Sequence, residues 1–207
     1  MKNALSVLVT LGLLGLPSSL HAQSLSAADI ASMVDERMGG VDEYAALLDD
    51  PDPERSLAAM QIMIGINDAQ ISRMALQHGL TSTNSAVRRA ALQAYLDSSP
   101  NLEFYFDGSA LDLGGFTGVM PSTNGTVSSE AVGYIIRKVG DFDQTKGCYV
   151  YANNANYCLA SLSEEAVTIS LWQRASPFKL NSEGLLVGEV FIDRMPPAAP
   201  TTIPVRP

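Results

Sequence analysis

The sequence predicts an α+β protein in two parts: a stack of short helices, then an antiparallel β-sandwich or small barrel. Two observations carry this reading. Before Pro100, apolar residues recur at helical spacing and alanine is abundant. After it come glycines, threonines, aromatics and short alternating runs.

Ahead of both parts stands a leader. Lys2 is followed by the apolar run from Ala4 to Leu16, Pro17 breaks that run, and Leu20-His21-Ala22 ends on a small residue. This is the layout of a secretory signal peptide, residues 1–22, cut before Gln23. The run is shorter than the roughly 20 residues that a bilayer span needs, and no cysteine follows it to take a lipid anchor. The expected location is therefore the bacterial periplasm or the outside of the cell, where two cysteines pair as a disulfide.

The helical part, 23–100, reads as five short helices. Ser26 and Asp29 form a capping-box-like start, Ile30, Met33, Val34 and Met38 share one face, and Gly39-Gly40 stops the helix. Asp42 to Leu48 makes a second. Asp52-Pro53-Glu54 then reads as N-cap, proline at the first helical position and acid in the first turn, with Gly65 closing the third helix. Asn67-Asp68-Ala69-Gln70 is a capping signal for a fourth, which carries Ile71, Met74, Ala75 and Leu76 and ends at His78-Gly79. Asn84 or Ser85 opens the fifth, which runs to Leu96.

Ala58-Ala59-Met60-Gln61 matches Ala90-Ala91-Leu92-Gln93, and a polar turn with an arginine, Arg55 or Arg88, precedes each. In this turn, arginine and alanine pattern residues 50–97 resemble HEAT-type repeats. The resemblance implies a solenoid-like stack in which each helix pair buries its apolar face on the next. A small alanine-rich bundle is the other reading of the same residues.

The β part, 101–195, begins with Leu102–Phe106. Asp107-Gly108 turns the chain into Ala110–Leu113, and Gly114-Gly115 leads to a strand over Phe116–Met120. Asn124-Gly125 is a hairpin signal. Strands then follow over Ala131–Val139, Cys148–Tyr151, Tyr157–Leu162, Ala166–Trp172 and Leu185–Ile192, a spacing typical of sandwiches and small barrels. The tail 196–207 is rich in proline and lacks periodicity, so it is expected to be extended or disordered.

The formal net charge is −9, and loss of residues 1–22 removes Lys2 and no acid. Such acidity opposes binding to nucleic acid or to anionic membranes, which need a Lys/Arg surface. It suits a soluble protein dispersed by its own charge, or one that meets a basic partner.

Cys148 and Cys158 flank Ala152-Asn153-Asn154, residues that tolerate turn dihedrals. A hairpin centred on Asn153 would place the two cysteines opposite one another as a structural staple. His78 is the only histidine after residue 22, and its place at a helix end next to Gly79 gives it a dipole-related role in place of a catalytic one. Glu103, Asp107, Asp112, Glu164 and Glu165 are the carboxylates that could flank a sugar bond. Asp141–Gly147 resembles a calcium loop, but Thr145 stands at its fifth position, Lys146 at the sixth, where glycine belongs, and Ala152 at the twelfth, where a glutamate belongs, so it reads as a turn. Tyr149, Tyr151 and Tyr157 form the candidate binding surface, because rings in strands can stack on sugars or peptides. The sequence assigns no catalytic set, metal ligands or cofactor.

The function expected is therefore that of an exported, soluble, non-enzymatic binding or interaction module of the bacterial cell envelope. Its partner would be another envelope protein or a glycan or peptide ligand. The alternative is a carboxylate-dependent envelope glycan hydrolase.

Overall fold

The computed structural model describes residues 26–163, 166–193 and 195–206. The expected leader, residues 1–22, with its expected cleavage point, and the candidate carboxylates Glu164 and Glu165 lie outside the described residues. The protein is α+β. The chain divides into two units between residues 39 and 40, a boundary that falls inside helix α1 (Ala27–Leu48). Helix α1 begins with Ser26 and Asp29 in reciprocal capping: the Asp29 amide donates to Ser26 Oγ at 3.1 Å and the Ser26 amide to Asp29 Oδ2 at 2.9 Å. Ile30 and Val34, expected on a buried face, are exposed. The side chains of Met33 and Met38 lie outside the description. Gly39-Gly40 does not stop the helix. A glycine costs only about 1 kcal/mol inside a helix, and the apparent second helix is the end of α1.

Helix α2 (Pro53–Gly65), α3 (Ala69–Thr81) and α4 (Ser85–Asp97) follow, opened by the side chains of Asp52, Asp68 and Asn84. Each cap accepts from one or two amides that the first turn leaves without a helical partner. Helices α2 and α4 have the same length, and each buries two matched side chains, Met60 and Met63 in one and Leu92 and Tyr95 in the other. Gly79 does not end α3 as expected. It sits inside the helix against Met60 and Ala91, where a Cβ would come within 2.3 Å of the Met60 sulfur and 2.6 Å of the Ala91 Cβ. Its role is close approach between helices.

Strand β1 (Asn101–Asp107) buries Leu102, Phe104 and Phe106 on one face, the alternation that the sequence shows. The next segment departs from expectation. Leu113–Ser122 is helix α5, not a pair of strands. Asp112 caps it by accepting from the Gly115 amide at 2.9 Å, and Phe116 and Met120, one helical turn apart, are both fully buried. Phe116 packs so closely on Gly133 that a Cβ there would lie 2.5 Å from its ring.

Strands β2 (Thr126–Val127), β3 (Val132–Asp143), β4 (Cys148–Tyr151), β5 (Asn154–Leu162), β6 (Val167–Leu171), β7 (Arg174–Leu180), β8 (Leu185–Ile192) and β9 (Met195–Pro204) run in succession as antiparallel neighbours. Strand β1 pairs with β3 on one side and with β9 on the other. Eight strands thus close into a ring, and β2 is an extra strand on β3. Closure removes the free edges that an open sheet leaves in the ring.

The proline-rich tail is part of this ring. Only Thr201 and Thr202 of β9 are paired on both sides, with β8 and with β1. Pro196, Pro197, Pro200 and Pro204 fall outside that doubly paired stretch, where a missing N–H is tolerated. The sequence pattern does not predict strand β7 (Arg174–Leu180) either. One contiguous apolar core runs from α2–α4 through β1 and α5 to the ring strands.

A candidate binding groove at one end of the closed sheet

The β4–β5 connection is a two-residue turn at Ala152-Asn153, and the β6–β7 connection is Trp172-Gln173. Both turns lie at the same end of the ring as Thr123 and Asn124, which follow α5. Together with Ile136, Arg137 and Lys138 of β3 they line a groove of about 1150 Å³. That is ample room for a small ligand, whose pockets commonly span about 300–1,000 Å³.

The disulfide fixes one wall. Cys148 and Cys158 are bonded, with a Cα–Cα distance of 5.7 Å. The register differs from a plain hairpin, since the residue opposite Cys158 is Val150, and β5 carries extra residues that bulge between Val150 and Tyr151. The bulge throws Tyr157 outward, with 52% of its surface exposed, and the staple holds the bulge in place.

The three candidate tyrosines separate. Tyr149 is not on a binding surface. It is buried, its ring meets Phe142 edge-on, and its hydroxyl donates to Asp97 Oδ1 at 2.7 Å, which ties β4 to α4. Burial, followed by the hydrogen bond to Asp97 and that carboxylate's charge, pushes its phenol well above the ordinary tyrosine range. Tyr149 and Tyr151 both pack on the apolar core, as residues two apart on one strand do, but Tyr149 is fully buried while Tyr151 is only partly so. Tyr151 and Tyr157 both line the groove. The Tyr151 hydroxyl donates to the Ser170 carbonyl, which holds its ring across to β6.

Sequence reasoning misses Arg137 and Lys138, and leaves Trp172, one of the clustered aromatics, out of the candidate tyrosine set. Arg137 is half-buried. Its guanidinium donates to the Ile136 carbonyl at 2.7 Å and to the Thr123 carbonyl at 3.0 Å. Burial lowers its pKa from the ordinary arginine value, although an arginine remains charged at any working pH. Trp172 contacts the Phe106 ring at 5.8 Å between centroids. Trp172 and Gln173 take φ of +48° and +61°, a left-handed pair that hairpins usually fill with Asn-Gly. Bulky residues there cost of order 1–3 kcal/mol each, and such strain gathers at functional sites. A turn without glycine or asparagine is also why β7 was illegible: nothing in Ala166–Trp172 signals that the chain reverses.

The remaining candidates are spread and occupied. Glu103 accepts from the Tyr105 hydroxyl at 3.1 Å and faces Arg206 at 3.7 Å. Asp107 accepts from the Ser109 amide, and Asp112 caps α5. His78 lies in the last turn of α3 with its Nδ1 at 3.5 Å from Asp49 Oδ1, a partner the sequence did not suggest. Asp143 accepts from the amides of Thr145 and Lys146 and pairs with the Lys146 ammonium at 2.9 Å, closing the β3–β4 turn.

Comparison with protein-family models, with curated proteins and with solved structures finds no match to this chain.

Proposed function

We propose that this chain is an exported, soluble, non-enzymatic binding module of a bacterial periplasm or cell envelope, and that the groove at the end of its closed sheet is where it takes a ligand. One observation carries the reading: a roomy groove walled by a stapled hairpin and by a strained Trp-Gln turn, with Tyr151, Tyr157 and Trp172 on its surface. In this reading residues 1–22 are a cleaved leader, 23–100 is a HEAT-like partner-binding stack, and the β part is a small barrel and not a sandwich. The disulfide is compatible with an oxidising location, and no described helix is long and apolar enough to cross a membrane. The hydrolase alternative needs two facing carboxylates about 5–9.5 Å apart. The described lining of the groove contains no Asp or Glu.

The test uses Trp172, the single tryptophan of the chain, as a reporter inside the groove. The protein is titrated with a panel of oligosaccharides and short peptides, alongside Tyr157→Ala. Binding that shifts tryptophan emission and weakens about tenfold in Tyr157→Ala, as loss of an aromatic stacking contact would produce, supports the reading. Ligand binding that the substitution leaves untouched, or release of reducing ends from a bound saccharide, refutes it.

A further inference from the structure

We infer that the groove is built for an anionic saccharide, a short sugar chain that carries carboxylates. This rests on the groove being the binding site. The chain has a formal net charge of −9, yet the described residues lining the groove include Arg137 and Lys138 and no acid. The groove is thus a positive island on an acidic protein, an arrangement that draws in anions and repels the protein's own kind.

Arg137 is the sharper half of the argument. Half-burying a guanidinium is costly unless an anion compensates it, and among the described residues no carboxylate lies within ion-pair distance of Arg137 or Lys138. Two carbonyl contacts occupy two of the five guanidinium N–H donors. The others remain to take a carboxylate, for which the planar fork is suited. Lys138, the next residue on β3, is exposed and also lines the groove, a second positive charge there.

The rest of the lining selects a sugar over a peptide. Tyr157 and Trp172 offer ring faces, and Asn124, Asn153, Asn154 and Gln173 offer amides that both donate and accept, as hydroxyl-rich ligands require.

The experiment titrates the full chain with trigalacturonate, its methyl ester and penta-aspartate, by calorimetry and by Trp172 emission. The expected result is binding of trigalacturonate that weakens as salt is raised, at least about tenfold weaker binding of the neutral ester, and about tenfold loss in Lys138→Glu. Arg137→Gln should abolish the preference for the acid over the ester; if that variant does not fold, Lys138→Glu alone decides. Equal binding of ester and acid, penta-aspartate binding as tightly as the sugar, or no binding of trigalacturonate overturns the inference. Each of those outcomes leaves the groove reading standing if Tyr157→Ala still weakens some other member of the wider panel.

Discussion

The helices α2–α4 and the closed sheet satisfy their backbones in opposite ways. Each helix is finished locally: Asp52, Asp68 and Asn84 cap amides within three residues of themselves. The sheet is finished only globally, because its first strand must find both β3 and the last strand, β9. Damage to a helix can therefore stay local, whereas damage to the ring interior is shared by every strand.

The most severe way to expose that difference is Phe104→Ala. Phe104 is fully buried on β1, stacked on Phe106 and in the shared core. Its loss should cost about 3–5 kcal/mol, read as a lower denaturant midpoint with all strand amides losing protection together. Loss of protection confined to β1 would show that the ring does not unfold as one.

Removing the staple comes next. Cys148→Ala with Cys158→Ala opens a short loop and should cost about 2–3 kcal/mol, measured by thermal or urea unfolding. Because the bond pins the bulge that presents Tyr157, ligand binding in the groove should weaken with it. Unchanged stability in the double variant would show that the bulge holds its own shape.

The smallest effect belongs to the helices. Asp52→Ala should cost about 1 kcal/mol, with faster hydrogen exchange over Pro53–Gly65 and none in the sheet. If strand amides exchange faster as well, the helices and the ring are one cooperative unit.

The same contrast explains what could be read from the sequence. Cap residues announce helices directly, so the starts of α2, α3 and α4 are legible to within a residue or so from Asp52, from the Asn67–Gln70 signal and from Asn84-Ser85. Their ends were less so, because a glycine can end a helix or, as at Gly79, admit a neighbour. Alternation marked β1, and the turn residues between the cysteines marked the disulfide. The sequence reading failed where tertiary contact overrides local signal. Phe116 and Met120 make α5 a helix by being buried one turn apart among glycines, and β9 tolerates its prolines because most of one edge is unpaired. The groove was half legible. Its tyrosines were visible as aromatics, but one of three had been claimed by Asp97, and Arg137 carried no motif at all.

The placement of β9 has a consequence for biogenesis. Tyr105 pairs with Thr202 and Phe106 with Thr201, so the seam of the ring joins an early strand to one that follows every other strand in the chain. No partial chain on the ribosome can close it. Until residues 201 and 202 have emerged, both margins of the nascent sheet stay open, and the polypeptide remains a pliable substrate for chaperones and for any machinery that must thread it unfolded. Emergence of residues 201 and 202, not the gradual accumulation of strands, is what lets the ring close.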